Sequence, residues 1–414
     1  SVRAAVSVAA AALALVPAAA RAQRTLFVGT GEPYARLTDA VHAARAGDRI
    51  VVRPGTYREP TIVVDRPVEI VGEGRPTLDG EHARQIMLVT ADDVTVRGLR
   101  FAHVGVSYVQ DNAAVRFERV RNCVVADNRL DDAFFGIYLA NVTDCRIEGN
   151  IIAGLAREET SSGNGIHLWS SRRITITGNQ VRGQRDGIYF EFVHESEVRG
   201  NLSEGNLRYG LHFMYSDDCR YLDNTFRANG AGVAVMYTKR VTMVGNRFER
   251  NWGAAAYGLL LKEIYDAHLE RNVFRQNTTG LFADGANRLV AAHNDFIDNG
   301  WALKLDVNTI DGNVTANNFE GNTFDVVTNG RDLSTAFRGN YWDAYDGYDR
   351  NHDGVGDVPF RPVRLFSIVV ERNVPALILL RSAFVRLIDA TERVVPVLTP
   401  EALADSAPAM KRIP

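Results

Sequence analysis

Short apolar runs separated by polar corners recur along most of this chain, and they recur in register. Segments such as Val124-Val-Ala-Asp-Asn-Arg-Leu130, Thr175-Ile-Thr-Gly-Asn-Gln-Val181 and Leu269-Glu-Arg-Asn-Val-Phe274 place an asparagine at positions 128, 150, 179, 201, 224, 246, 272, 294, 317 and 340. A fixed interval of about 22 residues marks a solenoid whose repeats each bury one side against the next. Two intervals are longer. One holds the polar stretch from Arg157 to Gly163 and the other the stretch from Asn251 to Tyr257, and both are expected to be loops. A second phase runs in the same register: Gly136-Ile-Tyr-Leu, Gly165-Ile-His-Leu, Gly187-Ile-Tyr-Phe, Gly210-Leu-His-Phe, Gly232-Val-Ala-Val, Gly258-Leu-Leu-Leu and Gly280-Leu-Phe-Ala.

Two positions past each asparagine stand Leu130, Ile152, Val181, Ser203, Phe226, Phe248, Phe274, Phe296, Phe319 and Trp342. That column points inward, and the asparagines occupy a corner where their amides satisfy neighbouring backbone groups. The pattern predicts an all-β protein, a right-handed parallel β-helix over residues 23–343. A short helix over Ala40 to Ala46 is expected to cap its first coil. Residues 344–414 form a C-terminal extension for capping or partner docking. It is expected to hold a helix from Asn373 to Thr391, with Leu377, Leu380, Phe384, Leu387 and Ile388 on one side and Arg386, Asp389 and Arg393 among its polar positions. A further short helix is expected to start at Thr399.

Strand alternation assigns faces. In the glycine-led strands the first and third positions after glycine are apolar and inward. The second positions, Tyr138, His167, Tyr189, His212 and Ala234, then point outward. So do the fourth, Trp169, Glu191, Met214, Met236 and Lys262, which Tyr215 and Tyr237 follow. Thioethers suit Cu(I) and imidazole suits copper in either state. Met214, Met236 and His212, with His167 or His194 nearby, therefore form a candidate copper site. The competing reading is a docking patch built on Trp169, Tyr189, Tyr215 and Tyr237.

Cys123, Cys145 and Cys219 each lie five residues before a repeat asparagine, in a column otherwise holding Ile174, Val241 and Leu289. They are expected to be buried as small hydrophobes. Cys123 and Cys145, on adjacent coils, are close enough in the repeat to be bridged. Asp349, Asn351, Asp353 and Asp357 resemble the start of a calcium loop, although position 12 of that loop is Phe360 rather than a bidentate Glu. A metal-free turn rich in Asp and Asn is the equal alternative.

Charge and composition narrow the partners. With 47 basic and 50 acidic residues and a net charge of −3, no broad basic face for nucleic acid is indicated. Arg3, the Ala-rich run to Val16 and Ala20-Arg21-Ala22 before Gln23 make residues 1–22 an expected signal peptide for export to the periplasm. No later stretch matches a membrane span, so none is expected in the mature chain. The rival class is a polysaccharide lyase or epimerase on this scaffold, for which Glu191, Asp186, Arg185 and Asp217-Asp218 are the available groups.

The segments Gly187-Ile-Tyr-Phe-Glu-Phe-Val193, Asn206-Leu-Arg-Tyr-Gly-Leu-His-Phe-Met-Tyr-Ser-Asp-Asp-Cys219, Gly232-Val-Ala-Val-Met-Tyr-Thr238, Gly339-Asn-Tyr-Trp-Asp343 and Arg361-Pro-Val-Arg-Leu-Phe-Ser367 resemble the NosD family, and the resemblance runs from about Gln23 to the C-terminus. It implies a non-catalytic periplasmic accessory protein for maturation of nitrous oxide reductase. Such a protein would work with a membrane ABC transporter and a copper-chaperone lipoprotein in delivering copper or assembling a copper–sulfide centre. It assigns no ligands residue by residue. It makes the apolar stripe at Leu377, Phe384 and Ile388 a candidate for docking on the transporter.

Overall fold

The computed structural model describes residues 23–107, 109–330, 334–380, 382–385, 387–388 and 403–414. The signal-like segment, the helix expected at Thr399, and Arg386, Asp389 and Arg393 lie outside the described residues.

A single coil shows the logic of the whole. Tyr209–Met214 lies on the first face of a three-sided prism, Arg220–Leu222 on the second and Thr225–Arg227 on the third. Each strand pairs in parallel with its equivalents one coil before and after. A sheet of 25 strands carries the first two faces and a sheet of 13 carries the third, which makes the right-handed parallel β-helix that the repeat predicts. The inward aromatic column forms a continuous stack. Phe248, Phe274, Phe296 and Phe319 follow one another at 4.8 Å between ring centroids, and Trp342 closes the stack at 4.1 Å. This spacing is the strand-to-strand distance itself, so ring packing and backbone pairing support the same register.

Asparagine turns the corner between the second and third faces. Asn246 Nδ2 donates to Asn272 Oδ1 at 3.0 Å and to Tyr221 O at 2.8 Å. Its Oδ1 accepts from the backbone and side-chain nitrogens of Asn224, both at 3.0 Å. A second ladder, Asn206, Asn229, Asn251, Asn277, Asn299 and Asn322, turns the corner between the third and first faces in the same way. Asn251 is therefore a buried rung, and the loop expected from it begins only at Trp252.

The cysteine column is buried as expected. Cys123 and Cys145 are bridged between adjacent coils, with Cα atoms 4.5 Å apart, and Cys219 is free.

Both ends are capped. The N-terminal helix spans Leu37–Ala43, three residues ahead of the expected Ala40 to Ala46. Its start is fixed from outside the helix: the Leu37 and Thr38 amides donate to the Glu59 carboxylate at 2.7 and 3.0 Å. In the extension one helix spans Leu365–Arg372, ahead of the expected start at Asn373, and within the expected span to Thr391 the described residues 383–385 and 387–388 are helical. At Asn373 the backbone leaves helical geometry, and a 3-10 segment Val374–Leu379 follows. Pro375 supplies no amide donor, and in a continuous helix its ring would clash with the Glu371 carbonyl four residues back. Leu377, Leu380 and Ile388 then pack inward beside Phe324, Phe366, Val370 and Val385, whereas Phe384 and Ile378 face solvent.

Candidate metal centre

The first face carries the outward column, and the structure changes its environment. Tyr138, His167, Tyr189 and His212 do leave the coil on its outer side, one above the next. His167 is stacked between Tyr138 and Tyr189 at 4.3 and 4.7 Å, and Tyr189 meets His212 edge-on at 5.2 Å. Both histidines are nevertheless buried, 9% and 6% exposed, where the sequence places them on an open surface. The cause is the residue before each strand glycine. A Cβ on Gly210 would point inward, 2.8 Å from Asn229 Nδ2, and the next residue, Leu211, also points inward. Two consecutive inward positions break the alternation, so Phe135, Asn164, Asp186 and Tyr209 turn outward and cover the histidines, with Tyr257 stacked on Tyr209.

The two histidines differ chemically. His167 Nδ1 accepts from Asn164 Nδ2 at 2.9 Å. Burial, with Arg185 and Arg116 nearby, pulls its pKa from 6.5 down to about 3, so it stays neutral and its lone pair is spent. It is not presented as a ligand in this arrangement. His212 is different. Neither of its ring nitrogens has a hydrogen-bond partner. Tyr209 lies 4.7 Å from it between ring centroids, and the Asp186 carboxylate lies 3.9 Å from Nδ1. Asp186 is itself fully buried, with one carboxylate oxygen unpartnered. Arg208 sits 3.6 Å from that carboxylate and 3.9 Å from Glu159, in the loop between Gly154 and Gly165. Buried orphan atoms are costly, and here five of them, on Asn164, Arg185, Asp186 and His212, fall in one place.

Met214 and Met236 are directly paired across adjacent strands, as the repeat predicts, and both are half-buried. Met214 is two residues beyond His212 on the same strand, so the two share a face. An imidazole with a carboxylate behind it, beside paired thioethers, is a donor set suited to Cu(I). His194 lies apart from the group: it sits past the corner, where Nδ1 accepts from the Asp217 amide at 3.3 Å. Phe192, Tyr215 and Tyr237 stack in the exposed corner just after the methionines, each pair at 5.2 Å. Trp169 is also exposed, and Tyr189 is half-buried in the histidine stack. Phe192, Tyr209 and Tyr257 are additions to the expected site, and Asp186, expected only for the rival enzyme reading, joins it beside His212. Their signal was the position before or after the repeat strand, outside the window that alternation covers.

Beside Tyr138 and His167 a cleft of about 460 Å³ is lined by Arg116, Glu118, Trp169 and Glu191. The carboxylates of the rival reading are divided: Glu191 lines this cleft, Asp186 is buried beside His212, and Asp217 and Asp218 face Arg240 at the corner. Asp218 is held by Arg240 at 2.8 Å on the corner, and Glu191 accepts from the Tyr189 hydroxyl at 3.3 Å. Cys219 is buried, and its thiol is pushed up to about 12, so no thiolate ligand is offered near neutral pH. In the acidic loop, Asp349 accepts from the amides of Asp353 and Gly354, Asp353 from Val355, and Asp357 from Arg350. Backbone amides thus hold these carboxylates in a turn.

Taken together, fold and site define a β-helix scaffold that presents soft ligands and an aromatic corner on one face. Residues 152–347 match the family model described as periplasmic copper-binding protein (NosD). The "probable ABC transporter binding protein NosD" of Pseudomonas aeruginosa is 30% identical, covering 93% of this chain and 94% of the relative. That of Stutzerimonas stutzeri is 26% identical over 86% of each. The chain belongs to the NosD family. Among solved structures, a PL6-family alginate lyase, AlyGC, matches with a TM-score of 0.62 at 14% identity, over 82% of this chain and 54% of that one. At that identity the likeness concerns the fold alone. No helix among the described residues is long and apolar enough to cross a membrane.

Proposed function

We propose that this protein is a periplasmic accessory factor for maturation of nitrous oxide reductase, handling copper, or the copper of a copper–sulfide centre, as cargo alongside a membrane ABC transporter. The observation that carries the reading is His212: a buried imidazole with both nitrogens unpartnered, a carboxylate 3.9 Å away, and the paired Met214 and Met236 on the same face. The family description and the relatives' names support it. His212, Met214 and Met236 are the proposed Cu(I) ligands, with Asp186 orienting the imidazole. The aromatic corner of Phe192, Tyr215 and Tyr237 lies beside them, where a delivering or receiving protein would dock. Exposed Phe384 and Ile378 on the extension are proposed for the transporter.

The test is anaerobic Cu(I) titration of the exported chain against Met214→Leu/Met236→Leu and His212→Ala. A loss of at least tenfold in affinity in both variants is expected, and unchanged binding would overturn the site. A parallel screen against uronate polysaccharides addresses the lyase or epimerase alternative. Release of product dependent on Glu191 would replace binding with catalysis as the function.

A further inference from the structure

A second group of metal-ligating side chains lies in another part of the solenoid, early in the chain and at the corner that follows the third face. His82, His103 and Asp132 belong to three successive coils. They follow the strands Thr77–Asp79, Arg100–Ala102 and Arg129–Asp131, which pair in order. One ligand atom from each lies within 4.8 Å of the others. The two imidazole rings are 4.7 Å apart, and His82 Nδ1 is 3.6 Å from Asp132 Oδ2. The backbone stacking of the coils sets this geometry: the His82 amide donates to His103 O at 2.8 Å, and the Val104 amide donates to Asp132 O at 3.2 Å.

We infer that His82, His103 and Asp132 form a second metal site, for a divalent late first-row cation such as Zn²⁺ or Cu²⁺. Left-handed backbone at this corner carries no weight, since corners throughout the solenoid share it. The side chains and their support carry the inference. His103 Nδ1 is bonded to Asp79 Oδ1 at 2.9 Å, which leaves Nε2 as its free donor. Asp79 is itself held by the Glu81 amide at 3.0 Å and lies 3.4 Å from Arg58. A carboxylate behind a ligating imidazole fixes the ring's tautomer and orientation. Two nitrogens and a carboxylate oxygen, with no sulfur, favour a borderline divalent ion over Cu(I). Three protein ligands leave a position open to water or a partner's donor. A small groove of about 80 Å³ adjoins the site and is lined by His82, Asp132 and the exposed Leu155. In the next three coils the residues after the third-face strands are Gly154, Gly183 and Gly205, which carry no ligand atoms.

The site is independent of the proposed Cu(I) centre, and one pair of titrations separates them. Zn²⁺ binding to the exported chain is measured by calorimetry, with Co²⁺ absorption as the spectroscopic probe. His82→Ala, at the most exposed ligand, and Asp132→Asn are each expected to weaken Zn²⁺ at least tenfold. Asp79→Asn, which removes only the orienting carboxylate, is expected to weaken it by roughly ten- to a hundredfold. His212→Ala is expected to leave Zn²⁺ affinity unchanged, and His82→Ala to leave Cu(I) affinity unchanged. Unfolding of His82→Ala without metal, matching the parent, controls for folding. Absence of Zn²⁺ binding to the parent, or binding indifferent to His82 and Asp132, overturns the inference.

Discussion

Asp405 completes the ladder that Asn340 leaves open. Its Oδ2 accepts from the Asn340 backbone amide and from Asn340 Nδ2, both at 2.9 Å, and from Trp342 Nε1 at 3.1 Å. Its Oδ1 accepts from the Gly339 amide at 3.0 Å. A carboxylate thus stands where the next coil would supply another asparagine.

Asp405→Ala is expected to cost about 3–5 kcal/mol, because it strands several buried donors at about 1–3 kcal/mol each before relaxation. The loss should concentrate at the C-terminal end. Hydrogen exchange is expected to quicken in residues 313–342 and to stay slow in the coils near Asn201. Uniform acceleration along the solenoid would show that the cap acts globally.

Asn246→Ala removes a rung in the middle. The Asn224 amide loses its acceptor, and Tyr221 O and Asn272 Oδ1 each lose a donor. A destabilisation of about 3 kcal/mol is expected in urea unfolding, with Asn246→Asp no better because it cannot donate. A cost below about 1 kcal/mol would mean that water replaces the rung.

His167 makes the fold acid-sensitive. Its pKa is pulled down to about 3 when folded, from 6.5, chiefly by burial. The unfolded chain therefore takes up a proton that the folded chain refuses. The stability this provides is complete above about pH 6.5 and is lost as pH falls toward 3. His167→Phe keeps the ring stack and removes the titration, so its melting temperature is expected to fall less between pH 7 and 4 than the parent's.

Asp325 acts in the opposite direction. Burial, with Asp343 nearby, raises its carboxyl from 3.8 to about 7. The folded chain keeps a proton that the unfolded chain gives up. Its contribution is complete below about pH 4 and is lost as pH rises through 7. Asp325→Asn is expected to flatten the stability decline between pH 5 and 8, read by thermal unfolding. An unchanged slope would place the titration elsewhere.

Much of the scaffold was readable from the sequence because its physics is periodic. Asn128 to Asn340 and Phe226 to Trp342 repeat a corner and a core position at one spacing, and both columns appear as expected. The second ladder has the same period, but Asn229 and Asn251 sit among loop-like residues that hid it. The site was harder to read. Met214 and Met236 follow from alternation, whereas the burial of His167 and His212 depends on a break in alternation at the glycines. His82 and His103 fall where the early coils differ in length, so no column links them. The expected helix at Asn373 ignored the backbone limits that Pro375 imposes.

The placement of Asp405 has one more consequence. The chain leaves the solenoid after Trp342 and comes back to the same coil at Asp405, so the intervening stretch is fastened at both ends to one platform. Between those ends Phe366 and Val370 pack on Phe324 and Glu371 pairs with Lys304, so only the exposed positions of the stretch can change without disturbing the coils beneath it. By the same token, truncating the chain at Asn373 would uncap the last coil as well as delete any docking surface. Point substitutions at Phe384 and Ile378 are therefore the cleaner probe of what that stretch recognises.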